Sequence, residues 1–130
     1  LIRPEFPVQA TATRVPTING HMISATVKLK NTPADIEEVK AAYTNWKNPI
    51  ANLKLPFAPK ELYKLHEEEK YPQPRLHADW ENGMQLHLGR LRKAEVFDVS
   101  FVAMAHNTIR GAAGGAILNA ELLVKKGFLK

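Results

Sequence analysis

Five of the nine prolines in this chain of 130 residues fall within residues 48–76. Proline lacks the amide hydrogen that a helix interior or a sheet ladder needs, so most of this stretch must be loop. We expect one short helix, at 60–69, to interrupt it. Apart from that helix, regular structure is expected only before and after the proline-rich stretch. A loop of this length in a compact domain commonly belongs to a site or an interface.

The stretch before the proline-rich loop is predicted to begin with a β-hairpin. Residues 9–14 are rich in threonine, and residues 21–30 alternate apolar with polar side chains, which is typical of strands. Asn19 and Gly20 lie between them and indicate a tight turn, because both residues tolerate the positive φ of a type I′ turn. We therefore expect these two strands to pair with each other.

Two further strands and two helices complete the predicted elements. The strands are expected at 84–92 and 96–105, and the helices at 33–47 and 113–126. Thr32 is expected to cap the first helix, and Gly127 to end the second. This order of elements predicts an α+β fold, with a mostly antiparallel or mixed sheet and the helices packed on one face.

The composition excludes several classes of function. The chain has no cysteine, so it has no disulfide, thiolate metal site or thiol nucleophile of its own. The net charge is +5, but basic residues are interleaved with acids, so we expect no nucleic-acid partner. No stretch approaches the roughly 20 apolar residues that span a bilayer, and no secretory signal is apparent. We therefore expect a cytoplasmic protein without a membrane partner.

The histidines of the central region are predicted to be structural. The segment "HEEEK" at 66–70 is interpreted as a solvated charge run, because His66 and Glu67 are adjacent and no second ligand pair accompanies them. His87 lies on the polar face of a predicted strand without an identifiable partner. No metal site is therefore expected.

The segment "RVPTINGH" places Arg14 and His21 around a proline and an Asn-Gly turn. Fully extended, the chain between them would span roughly 23 Å, too far for both to contact one small substrate. Pro16 and the turn at Asn19 can fold the segment back and bring the two side chains together. An Arg or a His at a strand end is more often a solvated or hydrogen-bonded structural residue, so the residues alone leave both interpretations open.

Four segments together resemble one enzyme family. They are "RVPTINGH", "PQPRLHADWENGM", "GRLR" and "FDVSFVAMAHNTIRGAAGGAILNAELL". They are similar to the C-terminal, dimerisation half of the aspartate-semialdehyde dehydrogenases of archaea and fungi. Residues 1–8 are interpreted as a junction and residues 9–130 as the dimerisation domain, and the N-terminal NADP-binding domain of such enzymes is absent.

The resemblance implies a reversible, NADP-dependent conversion of β-aspartyl phosphate to aspartate semialdehyde through a cysteine thioester. By the family's R-V-P-x-x-x-G-H motif, His21 is the general acid/base and Arg14 binds the substrate carboxylate. Asn107 and Thr108 are expected to contact the NADP cofactor, although a loop that caps the following helix explains them equally well. Because the nucleophilic cysteine and the nucleotide-binding half are missing, we expect this chain alone to be inactive.

Two alternatives accompany this hypothesis. In the first alternative, the chain acts only as a homodimerisation module, since the resemblance implies a homodimer or a dimer of dimers. The complete enzyme can instead be a related malonyl-CoA or acyl-phosphate reductase. Arg14 suits any small substrate that carries a carboxylate, so it does not distinguish these substrates.

Overall fold

The computed structural model describes residues 5–129. In chain order, its strands and α-helices are β1 (His21–Val27), α1 (Ile36–Asn45), β2 (Tyr63–Leu65), α2 (Pro74–His77), β3 (Leu86–Lys93), β4 (Val99–Ala105) and α3 (Gly114–Lys125). Short 3₁₀ turns lie at Ala51–Leu53 and Trp80–Gly83, and a π-turn lies at Ile109–Ala113. Among the described residues, no helix is long and apolar enough to cross a membrane.

The four strands form one mixed sheet in the order β1-β4-β3-β2. β4 pairs antiparallel with β1 over its whole length, from His21 opposite Ala105 to Val27 opposite Val99. β3 pairs antiparallel with β4 on the other side, and β2 adds a parallel edge to β3. The predicted α+β class with a mixed sheet is confirmed, and three of the four predicted strands correspond to β1, β3 and β4.

The predicted hairpin is wrong. Residues 9–14 form no strand and are exposed, and β1 pairs instead with β4. Threonine-rich residues 9–14 offer few apolar side chains to bury, whereas β4 supplies an apolar strand of matching length. Gly20 does have a positive φ of 99°, but Asn19 is not among the residues with positive φ, so the turn is not type I′.

The predicted helix at 60–69 is also wrong. Its centre is the short strand β2, whose flanks pair with β3: the Leu86 amide donates to the Leu62 carbonyl, and the His66 amide donates to the Leu88 carbonyl. A parallel partner strand is not visible in local sequence, so tertiary pairing overrides the helical propensity of the acidic run.

Helix α1 begins later than predicted because Asp35, not Thr32, is its cap. The Asp35 carboxylate accepts from the Glu38 amide at 2.9 Å, and the Glu38 carboxylate accepts from the Ala34 amide at 2.8 Å. Thr32 instead hydrogen-bonds to Asp98. The end of α3 is as predicted: Gly127 has a φ of 77°, and the amides of Gly127 and Phe128 donate to carbonyls of the last turn.

The apolar core is small for a chain of this length. Among residues 5–129, its buried hydrophobic residues are Leu55, Ala78, Met84, Val99 and Met104. The accessible surface is 10454 Å², whereas a compact monomer of this size exposes about 6,900 Å². Large apolar side chains are exposed along the outer strand β1, including Ile23 at 63%. The chain therefore presents far more surface than an independently packed domain.

A cluster of histidines fills much of the remaining interior. The rings of His66, His77 and His87 lie 4.6–5.4 Å apart, centre to centre, and Tyr71 and Trp80 surround them. His66 Nε2 and His87 Nδ1 are 3.1 Å apart and share one hydrogen bond. The expectation of a solvated His66 is thus wrong, because pairing of β2 with β3 buries its ring. We call these five residues the histidine cluster.

Gly89 on β3 allows the histidine cluster to close. A Cβ at this position would lie 2.5 Å from the Tyr71 carbonyl oxygen, closer than any side chain tolerates. The glycine therefore lets the loop that carries Tyr71 and Pro72 pack directly on the strand, which holds the Tyr71 ring against His66 and His77.

Acid is expected to destabilise this fold. Burial, followed by the charges of His66 and His77, lowers the pKa of His87 from 6.5 to about 4. Between those pH values the unfolded chain binds more protons than the folded chain, so the free energy of unfolding falls as the pH drops from 6.5 towards 4. The difference between the two pKa values corresponds to about 3 kcal/mol.

Urea unfolding of the wild type and of His87→Gln, at about pH 7.5 and about pH 4.5, measures this loss. The glutamine variant is expected to lose less stability between the two pH values, because position 87 no longer titrates. The matched control is His21→Gln, which removes an exposed histidine in place of a buried one. Equal losses in the wild type and in His87→Gln would contradict the prediction.

Candidate functional site

The candidate site lies at the end of the sheet where β1 begins and β4 ends. His21 is the first residue of β1, is exposed, and stands opposite Ala105, the last residue of β4. The loop that follows β4 contains Asn107 and Thr108. The register of these two strands therefore brings His21 to the same end of the sheet as the predicted cofactor residues.

The turn before His21 is tightly constrained. The Thr17 amide donates to the Val15 carbonyl at 2.8 Å, so the chain bends around Pro16 as predicted. Gly20 is buried, and a Cβ there would lie 2.8 Å from the Pro74 side chain of α2. A positive φ and this close approach together require glycine at the position that precedes the exposed imidazole.

Asn107 is bonded directly to this turn. Its side-chain oxygen Oδ1 accepts from the Gly20 amide at 3.0 Å, across 87 residues of sequence. A backbone amide can only donate, so the oxygen end of the side chain must face Gly20. The structure thus brings together two of the predicted site positions, His21 and Asn107, through one glycine.

Arg14 is not drawn into this arrangement by any contact among residues 5–129. It lies exposed in the extended segment that precedes the Pro16 bend, and its guanidinium forms no hydrogen bond or ion pair with another described residue. Its shared site with His21 stays a prediction. A solvated guanidinium remains charged and offers planar, paired donors to a carboxylate.

His106 is a residue that the sequence did not single out. Its ring is buried, and Nδ1 lies 3.2–3.3 Å from the amides of Thr108 and Ile109 and from the Thr108 hydroxyl. Because these groups donate to Nδ1, the ring proton is on Nε2, which lies 3.6 Å from Asp79 Oδ1. His106 therefore caps the turn that leads into α3 and fixes the backbone of the Asn107 loop.

Thr108 is held in this loop by His106. Its amide and hydroxyl face the His106 ring, yet the residue as a whole is exposed. Its side chain makes no capping hydrogen bond to the turn that follows, which His106 caps instead, and the cofactor contact of Thr108 stays a prediction. Neither His106 nor its capping bonds had a signal in the sequence beyond the short segment "HNT".

Arg110 lies in the turn that follows the same loop. Burial lowers the pKa of its guanidinium, and Nη1 is buried without a hydrogen-bond partner among residues 5–129. In the same range, no three His, Asp or Glu side chains are arranged to hold a metal ion. The described groups at this end of the sheet can transfer protons through the imidazole of His21 and form hydrogen bonds through amide and hydroxyl groups.

Comparison with known proteins decides the family. Residues 1–110 match the sequence profile of the semialdehyde dehydrogenase dimerisation domain. The chain belongs to this family. The resemblance drawn from the sequence segments is thereby confirmed, and the mixed sheet described above is the sheet of a semialdehyde dehydrogenase dimerisation domain.

Individual relatives agree with this assignment. An aspartate-semialdehyde dehydrogenase of Aspergillus fumigatus is 43% identical over 126 residues, which cover 94% of the dimerisation-domain chain and 35% of that enzyme. A malonyl CoA reductase (NADP) of Metallosphaera sedula is 37% identical over 128 residues, which cover 96% of the chain and 35% of that protein. The chain therefore spans about a third of the length of the curated relatives it matches.

A solved structure gives the same result at the level of the fold. The crystal structure of aspartate semialdehyde dehydrogenase with NADP from Candida albicans matches the chain with a TM-score of 0.78 at 35% identity. The match covers 88% of this dimerisation-domain chain and 32% of that structure. The similarity thus extends over most of the chain.

Removal of the His106 cap is expected to loosen the Asn107 loop. His106→Leu replaces the imidazole with an apolar side chain of similar size, which cannot accept hydrogen bonds from the amides of Thr108 and Ile109. We therefore expect the free energy of unfolding to fall by about 1–2 kcal/mol. Hydrogen exchange at these two amides, followed by NMR, is expected to become faster. His106→Asn is the matched variant, because its carbonyl can still cap, and should keep these amides protected. Unchanged exchange in the leucine variant would contradict this role.

Proposed function

We propose that this chain is the dimerisation-domain part of a longer NADP-dependent aspartate-semialdehyde dehydrogenase. The observation that carries the proposal is the hydrogen bond from the Gly20 amide to Asn107 Oδ1, since it supports one continuous site that contains His21 and the loop after β4. The 43% identity to the Aspergillus enzyme supports the choice of reaction. The substrates proposed are β-aspartyl phosphate and aspartate semialdehyde.

His21 is proposed as the general acid and base. Histidine is the side chain most often used to transfer protons in catalysis, and a general acid/base residue typically contributes about 10²- to 10⁴-fold in rate. Exposure of His21 at the start of β1 leaves its ring accessible to a reacting group. In the proposed reaction it takes the proton from the attacking thiol and returns a proton in the reverse direction.

The attacking thiol is proposed to come from another part of the longer enzyme. This chain has no cysteine, whereas conversion of an acyl phosphate through a thioester requires one. Arg14 is proposed to bind the substrate carboxylate through its planar pair of donors. The exposed guanidinium has no competing partner among residues 5–129, which leaves it available for this contact.

NADP is proposed as the cofactor, and the Candida structure that carries NADP supports this choice. When bound, it supplies or accepts the hydride. Asn107 fits such a role because Oδ1 is already bonded to Gly20, which leaves its amide N–H groups to donate to a carboxamide. The exposed Thr108 lies beside it at the head of the turn into α3. These two residues would hold the nicotinamide end of the cofactor, and most of the cofactor would lie on another domain.

Steady-state kinetics of the longer enzyme test this function. His21→Gln is expected to lower kcat by about 10²- to 10⁴-fold while leaving the KM values close to wild type, because glutamine cannot transfer the proton. Arg14→Lys is expected mainly to raise KM for aspartate semialdehyde, since one ammonium replaces a two-point contact. Full activity of His21→Gln, or turnover by the isolated chain, would contradict the proposal.

A second candidate reaction is reduction of a malonyl-CoA-type substrate. The 37% identity to the Metallosphaera reductase favours it, and Arg14 would serve either carboxylate-bearing substrate. The same kinetic assay, run with both substrates, distinguishes the two reactions. Turnover of malonyl-CoA at a higher kcat/KM than aspartate semialdehyde would select this alternative.

Self-association is the proposed physical role of this part of the enzyme. The excess accessible surface and the exposed apolar residues of β1 support a sheet that another copy covers. Sedimentation of the purified chain at micromolar concentration is expected to give a dimer or a larger assembly. A well-folded monomer under these conditions would contradict autonomous dimerisation.

A further inference from the structure

We propose that Asn107 is a positioning residue that sets the place of the His21 imidazole. This inference rests on the proposed function, in which His21 transfers protons. It goes further by assigning the two ends of the Asn107 side chain to two different tasks. The carbonyl end holds the His21 turn, and the amide end remains available to a ligand.

The first step is the geometry of the strand ends. Pairing of β1 with β4 ends at His21 and Ala105, so the next rung of an antiparallel ladder would join Gly20 to His106. That rung is not made by the backbone. The Gly20 amide donates instead to Asn107 Oδ1 at 3.0 Å, so a side chain extends the ladder by one hydrogen bond.

The second step is the tight packing around Gly20. Gly20 is buried and sits so close to Pro74 that even a Cβ would lie 2.8 Å from the proline side chain. The contact with α2 on one side and the bond to Asn107 on the other therefore hold the backbone immediately before His21. A peptide held in this way limits the directions in which the next side chain can point.

The third step is the rigidity of the Asn107 side. Its neighbour His106 is buried and holds the amides of Thr108 and Ile109 through Nδ1. The loop that supplies Asn107 is therefore fixed from within the core. Because both partners of this hydrogen bond are held in place, the bond fixes the backbone before His21 relative to the end of β4.

The two ends of the Asn107 side chain link cofactor and base. Its oxygen is used by Gly20, so any ligand contact must come from the Nδ2 amide group. A ligand that accepts a hydrogen bond from this amide group contacts the same side chain that holds the turn before His21. Binding at the loop after β4 and the placement of the imidazole are thus coupled through one residue.

A double-mutant cycle in the longer enzyme tests the proposal. Asn107→Ala is expected to lower kcat about tenfold or more, because His21 loses its fixed direction. In a His21→Gln background, the same substitution is expected to lower kcat no further, because there is no base left to position. Asn107→Asp keeps an acceptor for the Gly20 amide and is expected to recover most of the lost kcat, while KM for NADP rises because the amide donor is gone.

Three outcomes would overturn it. An equal kcat loss from Asn107→Ala in both backgrounds would show that Asn107 does not act through His21. A rise in KM for NADP with unchanged kcat would leave only a cofactor contact. Unchanged protection of the Gly20 amide from hydrogen exchange in Asn107→Ala would show that the bond is not made. Full activity of His21→Gln alone would instead contradict the proposed function, which separates the two failures.

Discussion

Strand β4 is the element on which the rest of the structure depends. It is hydrogen-bonded on both sides, to β1 and to β3, so its register fixes the register of both neighbours. Its residues also supply Val99 and Met104 to the small apolar core. Because β4 ends opposite His21, the loop that follows β4 must lie at the end of the sheet where β1 begins. The same strand therefore contributes to the core and fixes where the candidate site lies.

The interior on the β2 side is maintained by aromatic and imidazole rings rather than by aliphatic packing. The three histidines of the cluster are buried, and His66 Nε2 and His87 Nδ1 share one hydrogen bond, which requires that one of these two nitrogens carries no proton. Burial lowers the pKa of both His66 and His87, since it penalises the charged imidazole in each case. This interior therefore loses stability as its rings become charged, unlike a core made of aliphatic side chains.

Local sequence predicts the elements that local interactions determine. Alternation of apolar residues locates β1, β3 and β4, and Gly127 ends α3 as expected. The failures concern long-range pairing. The partner of β1 is some 80 residues away, and β2 exists only because β3 lies beside it. A turn signal at Asn19 cannot reveal either fact, since it describes only the four residues of the turn.

The candidate site shows the same division. The sequence resemblance predicts four site residues, which are Arg14, His21, Asn107 and Thr108. The structure places His21 and Asn107 at one end of the sheet. Neither the bond between Asn107 and Gly20 nor the cap formed by His106 has a periodicity or a spacing that a sequence reveals. Both are tertiary contacts between residues whose chemistry is ordinary when each is considered alone.

The large accessible surface has a consequence for how this fold persists. Under the proposed self-association, apolar area that would stabilise an isolated domain is covered by another copy, so the free energies of folding and of association add. The covering copy then contributes to the melting temperature by mass action, and dilution removes that contribution. Heat resistance is in that case a property of the assembly and its concentration, rather than of the single polypeptide.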